Sequence, residues 1–371
     1  EAHYSEDIAN NLHVKWHVRY YATGDLRIRA IVENGVIGSS GNEIYTPTVT
    51  IDGVVEYNNG GVDITHYNHT RYSVTTWVGT NPTVKVAHDT TYLQETKLVP
   101  NYWKTEPSEA TLNALSTTYT PMGRAQWRDN MSASGYHPQI GLLPKWDALY
   151  LNSGGDNRAF DAVEVQTEAL NSYPIIWSDP TTDAPIVLDS WANWTVRGTD
   201  AGGVTNLRSG RYVWDVAHHG SGGYLAYLIT GDYYYLSTME HQAATIYLVI
   251  TSANGSGTSR LIDPPQTRAV GWSNRTIAQL VSIAPSSASV DAFQAMLDYS
   301  MDYWATYINT PGMNELGYFI TYYAGAWDGL LAVYLQHMVI QSFGYISDLE
   351  PLSDMTSLNS ARDQNYKAVV G

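Results

Sequence analysis

The first hundred residues alternate apolar and polar positions. Across 13–21, Val14, Trp16, Val18 and Tyr20 interleave with His13, Lys15, His17 and Arg19, the period-two signature of a half-buried strand. Thr23-Gly24-Asp25 supplies a turn and the alternation resumes over 26–32, which predicts a β-hairpin. Further strands are expected at 48–51, 54–57, 72–78 and 83–88, separated by Asp52-Gly53, by Asn58-Asn59-Gly60-Gly61 and by Gly79-Thr80-Asn81-Pro82. Short strands at this spacing imply an antiparallel β-sandwich over residues 1–104.

Beyond Pro100-Asn101-Tyr102 the period lengthens. Helical windows fall at about 107–117, 143–152, 157–171, 221–230, 233–252, 266–284, 290–308 and 318–342. In the seventh of these, Phe293, Met296, Leu297, Met301, Trp304 and Ile308 recur at three- and four-residue spacing, the apolar stripe of a core-facing helix. The window 318–342 is apolar on nearly all sides, so a buried inner helix is expected. Gly231 followed by Asp232 joins a helix C-cap to the next N-cap, hence a helical hairpin. Hairpin after hairpin predicts an α/α toroid of the incomplete (α/α)6 type over 105–345. Residues 178–211, rich in Asp, Thr, Gly and Pro, lack periodicity, and so long a loop in a compact domain is ordinarily functional or disordered. The polar stretch 346–371 is expected to run as an extended tail, an arm through which a homo-oligomer or filament could form.

Composition narrows the partners. The 371 residues include 36 acidic and 20 basic side chains, a net charge of −16, and no cysteine. Nucleic acid and anionic membrane surfaces both call for clustered cations, so neither is expected as the main partner. No apolar run reaches the length of about 18 that a membrane span requires. Without cysteine there is no disulfide, thiolate metal site or thiol nucleophile. The 29 tyrosines and 12 tryptophans, against 4 phenylalanines, favour rings with a polar edge, which suit carbohydrate or interfaces. The start at Glu1 without a hydrophobic leader is that expected of a processed form, an excised fragment or an expression product. Asn-x-Ser/Thr sequons stand at Asn68, Asn130, Asn193, Asn254 and Asn274. Few lysines, many Thr, Ser, Asn and Gly, and the lack of cysteine together give a secreted, extracellular character.

Three constellations carry candidate chemistry. In Trp214-Asp215-Val216-Ala217-His218-His219-Gly220-Ser221-Gly222-Gly223-Tyr224-Leu225-Ala226-Tyr227, a histidine pair and a small-residue turn lead into a helix that presents Tyr224 and Tyr227 on one face. Histidine exchanges protons near neutral pH and a positioned phenol can act as acid. Elimination beside a uronate carboxylate needs such a pair, although His218 could equally cap the helix while the tyrosines pack. Gln266, Arg268, Trp272, Arg275 and Gln279 share one predicted helix, and offsets of four, three and four align the last four as a stripe. Two guanidiniums flanking an indole suit an anionic sugar or simply pair with surplus carboxylates. In Thr65-His66-Tyr67-Asn68-His69-Thr70-Arg71, strand alternation sets Tyr67, His69 and Arg71 opposite His66, so no metal triad follows, though His88 and Asp89 keep a metal site open. No Gly-x-Ser-x-Gly elbow, phosphate loop, His-Glu-x-x-His or dinucleotide fingerprint occurs.

These stretches resemble one family of large secreted bacterial and phage-associated proteins. The resemblance covers roughly 12–342 and is carried by residues 12–34, Thr65 through Arg71, His88-Asp89-Thr90 with Tyr92-Leu93, and Val99-Pro100-Asn101-Tyr102. It continues through Pro121-Met122-Gly123, Ile140-Gly141-Leu142-Leu143-Pro144 with Trp146, Ala217-His218, Tyr224 through Tyr227, and Arg268 with Trp272 and Arg275. Its most specific piece is Thr230-Gly231-Asp232-Tyr233-Tyr234-Tyr235-Leu236. The layout so implied, a β-sandwich before an α/α toroid, is similar to exo-acting polysaccharide lyases of the rhamnogalacturonan type. The resemblance implies His66, His69, Arg71, His218, Tyr224, Arg268, Trp272 and Arg275 as site residues. The chain departs from the family pattern at His219, at the glycine-rich 220–223 and in a shortened segment between Asn254 and Gln266.

The leading expectation is an extracellular, glycan-active protein that cleaves an acidic, uronate-containing polysaccharide by β-elimination. Arg268 or Arg275 would neutralise the carboxylate, His218 take the proton, Tyr224 assist as acid and Trp272 stack on a sugar. His66, His69, Arg71, Tyr227 and Gln266 would hold the polymer. No cofactor and no metal ion are called for. The alternatives are a non-catalytic glycan-binding or structural subunit of a virion or cell-surface assembly, and a glycoside hydrolase using carboxylates such as Asp215, Asp232, Glu240 or Asp328.

Overall fold

The computed structural model describes residues 2–9, 12–39, 41–82, 85–102, 105–129, 137–196, 211–250, 254–264, 266–310, 317–318 and 333–370. It is a mixed α+β molecule, with an N-terminal antiparallel sheet region followed by a helical region. Four strands, β1 (Ala2–Ala9), β2 (Leu12–Tyr20), β3 (Leu26–Asn34) and β8 (Thr70–Val78), pair antiparallel in the order β1-β2-β3-β8. Tyr4 faces Trp16, Trp16 faces Ala30 and Ala30 faces Val74 across the ladder. Two ribbons complete the region: β4 (Glu43–Tyr45) with β7 (Ile64–His66), and β5 (Val49–Ile51) with β6 (Val54–Tyr57). The expected strand at 83–88 does not form among its described residues. The chain there turns instead towards Asp89, whose carboxylate takes the Thr91 and Tyr92 amides and starts α1 (Thr90–Glu95).

The helices that follow are α2 (Glu109–Asn113), α3 (Lys145–Asn152), α4 (Asn157–Leu170), α5 (Tyr224–Thr230), α6 (Tyr233–Val249), α7 (Thr267–Ile283), α8 (Ala288–Ile308), α9 (Val333–Leu349) and α10 (Thr356–Val370). Side-chain caps start several of them: Ser108, Asp156, Asp232 and Ser287 each accept amide hydrogens of the first turn. Gly231, at φ +63°, ends α5 in the left-handed conformation that only glycine adopts cheaply. The α5–α6 hairpin therefore follows from two adjacent residues. Helix α9 overlaps the expected inner helix only in part, because residues 319–332 lie outside the described ones. The expected extended tail is corrected: Thr356–Val370 form α10, which packs on α8 and α9. Leu358, Ala361 and Asn365 recur at three- and four-residue spacing and are fully buried, so this segment is no free arm. No described helix is long and apolar enough to cross a membrane.

Both faces of the four-stranded sheet are covered. Val14, Val32 and Tyr72 form a small core with Ile64 and Met122. The opposite, polar face meets α4 and α6 through a buried ionic joint. Arg71 uses all five of its N–H donors there: Nε to Asn171, Nη1 to Glu33 (3.1 Å) and Ser237 (3.0 Å), and Nη2 to the Tyr234 carbonyl (2.9 Å) and Thr238 (2.6 Å). Arg29 pairs with Glu168 and with Asp232 (3.2 Å). The two guanidiniums sandwich the Tyr234 ring at 4.4 and 4.3 Å, each a cation–π contact. The Gly231-to-Leu236 run, the most distinctive string in the sequence, is thus the fastening between sheet and helices.

Candidate functional site

His218 stands on a turn that Asp215 organises. The Asp215 carbonyl accepts the His218 and His219 amides (3.1 and 2.9 Å), and its carboxylate accepts the Ala217 amide (2.7 Å). The other carboxylate oxygen lies 3.0 Å from His218 Nδ1. Burial pushes the Asp215 carboxyl up, but hydrogen bonding and charge from His218 outweigh it and hold it below the ordinary range. On the far side of the ring, Arg268 Nη2 contacts His218 Nε2. A guanidinium can only donate, so Nε2 carries the lone pair, while Nδ1 lies beside the Asp215 carboxylate without a well-directed hydrogen bond.

Arg268 extends from the first turn of α7. Its Nε donates to Gln266 Oε1 (3.1 Å), and no carboxylate lies within ion-pair distance among the described residues. Burial lowers its proton affinity, with Tyr334 and Asp215 acting in the opposite direction. His137 also belongs here: burial, then the His218 charge, holds its pKa below the ordinary value, and its Nδ1 has no hydrogen-bond partner. His137 and Tyr334 were not among the expected site residues, since their nearness to His218 and Arg268 comes from segments far apart in the chain. Asp215 was foreseen only as a hydrolase carboxylate, although an Asp three residues before a His within one turn is a legible signal for orientation of an imidazole.

The α7 stripe continues beneath the loop 137–143. Trp272 is buried, with the Arg275 guanidinium 5.0 Å from its ring centre. Arg275 donates to the Gly141 carbonyl and to Thr276 Oγ1, and burial lowers its pKa to about 10. Gln279 reaches Tyr345 OH (3.4 Å). Gly141 and Tyr345 in turn line the largest groove described, about 690 Å³, to which Lys145, Asn152 and Asp348 contribute charge and amide groups. The loop therefore lines the groove, and at its start His137 lies within electrostatic reach of His218.

The remaining expected site residues lie elsewhere. Tyr224 is fully buried and donates to the Leu98 carbonyl (2.6 Å), which also accepts from Tyr345 (2.5 Å). Its hydroxyl is thus turned into the core, while Tyr227 is half-buried against the same core. His66 is held by Tyr45 OH (2.8 Å) and the Thr70 carbonyl (3.0 Å). His69, at φ +56°, joins β7 to β8, stacks on Trp177 at 3.7 Å and contacts the Ile176 carbonyl (3.0 Å). Burial lowers both imidazoles to a pKa of about 4. Arg71 belongs to the sheet–helix joint, whereas His66 packs on Tyr45 and Tyr72 beside the small core and His69 on Trp177, all apart from the His218–Arg268 pair. His88 bonds Tyr150 OH (2.7 Å) and Asp89 caps α1. Among the described residues no group of three His, Asp or Glu could hold a metal ion. Asp328 lies outside the described residues, as does the sequon at Asn130. The sequon at Asn274 is wholly buried in α7.

His219 and the glycine-rich segment have packing roles. His219 sits among Trp127, Trp214 and Tyr173, and burial lowers it to about 4. A side chain at Gly220 would strike the Gln139 carbonyl, and one at Gly222 would strike Leu170. Comparison with protein families, with curated proteins and with solved structures returns no match.

Proposed function

We propose that this is an extracellular glycan-active protein that cleaves an acidic, uronate-containing polysaccharide by β-elimination. One observation carries the reading: Arg268, a nearly buried cation with no carboxylate partner among the described residues, rests on His218, whose far nitrogen lies beside Asp215. An anion reaching Arg268 would draw the guanidinium to its carboxylate and free His218 Nε2, now a base beside the acidified carbon. His218 takes that proton and the glycosidic oxygen leaves from the neighbouring carbon, giving an unsaturated sugar. The buried Tyr224 is poorly placed to protonate the leaving oxygen. Tyr334, half-exposed on α9 and within electrostatic reach of Arg268, is the phenol assigned to that step. In this reading the sheet and its ribbons are a β-sandwich, the helical hairpins an incomplete α/α toroid, and the groove beside Gly141 the path of the polymer. Incubation with pectic, alginate and glycosaminoglycan polymers should give products absorbing in the near ultraviolet. His218→Ala and Arg268→Ala should each reduce that rate by about a hundredfold or more. A non-catalytic glycan-binding role is the second reading, favoured by the committed Tyr224 hydroxyl; binding of polymer without any unsaturated product would select it.

A further inference from the structure

A second cavity, of about 240 Å³, opens between strands β1 and β2, the 182–185 loop and the first turns of α6. Its wall is aromatic on one side. His3 and His17 stack at 4.1 Å, and Tyr233 lies 5.1 and 5.8 Å from them. The charged groups around it are already engaged. Lys15 binds Glu33 and the Asp183 carbonyl (both 2.7 Å), His13 lies 2.8 Å from Asp183, and every Arg71 donor is taken. An anion would therefore find little free positive charge, and a cation would meet Lys15 and Arg71. What is left over is uncharged hydrogen-bonding capacity. His17 lines the cavity, is 6% exposed, and its Nδ1 has no partner. Glu240, on the Tyr233–Ser237 face of α6, is also 6% exposed, makes no ion pair among the described residues and leaves Oε2 unpartnered. It lies within electrostatic reach of Tyr233, Arg71 and Lys15, all of which line the cavity. Buried polar atoms without partners are rare in folded proteins, and one in the wall of this cavity, His17 Nδ1, beside an aromatic platform, describes a polar ligand that stacks.

We propose that this cavity binds a single neutral sugar ring, which lies on Tyr233 and His3 and directs a hydroxyl to His17 Nδ1. The size agrees: the cavity falls below the range of about 300–1,000 Å³ that holds drug-sized ligands. The site is separate from the His218–Arg268 pair and does not depend on any lyase activity. Saturation-transfer NMR with methyl glucoside, galactoside, mannoside and rhamnoside at millimolar concentration tests it. At least one glycoside should bind. His17→Ala and Tyr233→Ala should each weaken it about tenfold, the loss of one hydrogen bond or one stacking face, whereas Tyr233→Phe retains it. Circular dichroism of each variant confirms the fold, and Tyr233, 38% exposed, tolerates truncation. No binding by any of the four glycosides overturns the proposal. So does binding indifferent to both alanine variants, or binding abolished by His218→Ala, which would move the ligand to the other site.

Discussion

Glu240 offers a direct measurement of what burial does inside the sheet–helix joint. Desolvation raises its carboxyl from 4.5 to about 7, and attraction from Arg71 and Lys15 only partly opposes it. Between those two pH values the folded protein keeps a proton that the unfolded chain has released. Stability therefore falls as pH rises through that window and levels off above it. The interval corresponds to about 3 kcal/mol at full ionisation. Replacing Glu240 by Gln removes the ionisation while keeping shape, so the variant should gain about 3 kcal/mol at pH 8 and only about 1 kcal/mol at pH 5.5. At roughly 2.1 cal/mol/K of unfolding entropy per residue, a chain of 371 residues converts the larger gain into a rise in Tm of about 4 °C. Differential scanning calorimetry of both proteins at the two pH values reads this directly. An equal Tm difference at both pH values, or a loss of stability that deepens with pH, would refute the reasoning.

Other outcomes follow from the same geometry. Arg29→Met strands Glu168 without its buried partner, while Asp232 keeps Arg27 at 2.8 Å, and should cost about 3–5 kcal/mol by urea titration, against less than about 1 kcal/mol for Arg124→Met at its half-exposed pair with Asp129. His66, His69 and His219 are held neutral with pKa values near 4, and His17 and His241 near 3. A lowered histidine gives full stability above about 6.5 and withdraws it on acidification. Tryptophan fluorescence should therefore show cooperative unfolding between about pH 6 and 4, with Glu240 and Asp263 returning only part of the loss; an unchanged fold at pH 3.5 would contradict this. Gly223→Ala places a Cβ 2.6 Å from the Tyr235 carbonyl at φ +90° and should cost about 2–4 kcal/mol in the same urea assay.

The hairpin of β2 and β3, strand β8 and helices α3 to α8 were readable because their apolar positions repeat with one period throughout. Period tells which residues share a face, not what covers that face. The His13, Lys15, His17, Arg19 side of β2 reads as a solvent side, yet its neighbours Arg29, Glu33 and Arg71 are buried against α4 and α6. Ion pairs between residues 139 and 203 positions apart leave no local trace. Helix α10 escaped because, among its described side chains, Leu358, Ala361 and Asn365 alone mark the buried side amid polar residues. His218 and Arg268 were each named, but their contact spans 50 residues and is a product of tertiary packing. The Arg268–Trp272–Arg275–Gln279 stripe is real as a helix face. Most of it is roofed by the 137–143 loop, which no helical periodicity could foretell.

Arg71 also sets a schedule for synthesis. Its last partners, the Tyr234 carbonyl and Thr238, are 163 and 167 residues further along the chain. At a translation rate of about 5–20 residues per second, strand β8 waits about 8–33 s after leaving the ribosome before the Arg71 guanidinium, already beside Glu33, can complete its hydrogen bonds. Until it ends, the polar face of the sheet lacks α6, although α4 emerges sooner. The N-terminal region is thus a dependent part, unable to finish folding early, and growing chains should need protection until α6 emerges.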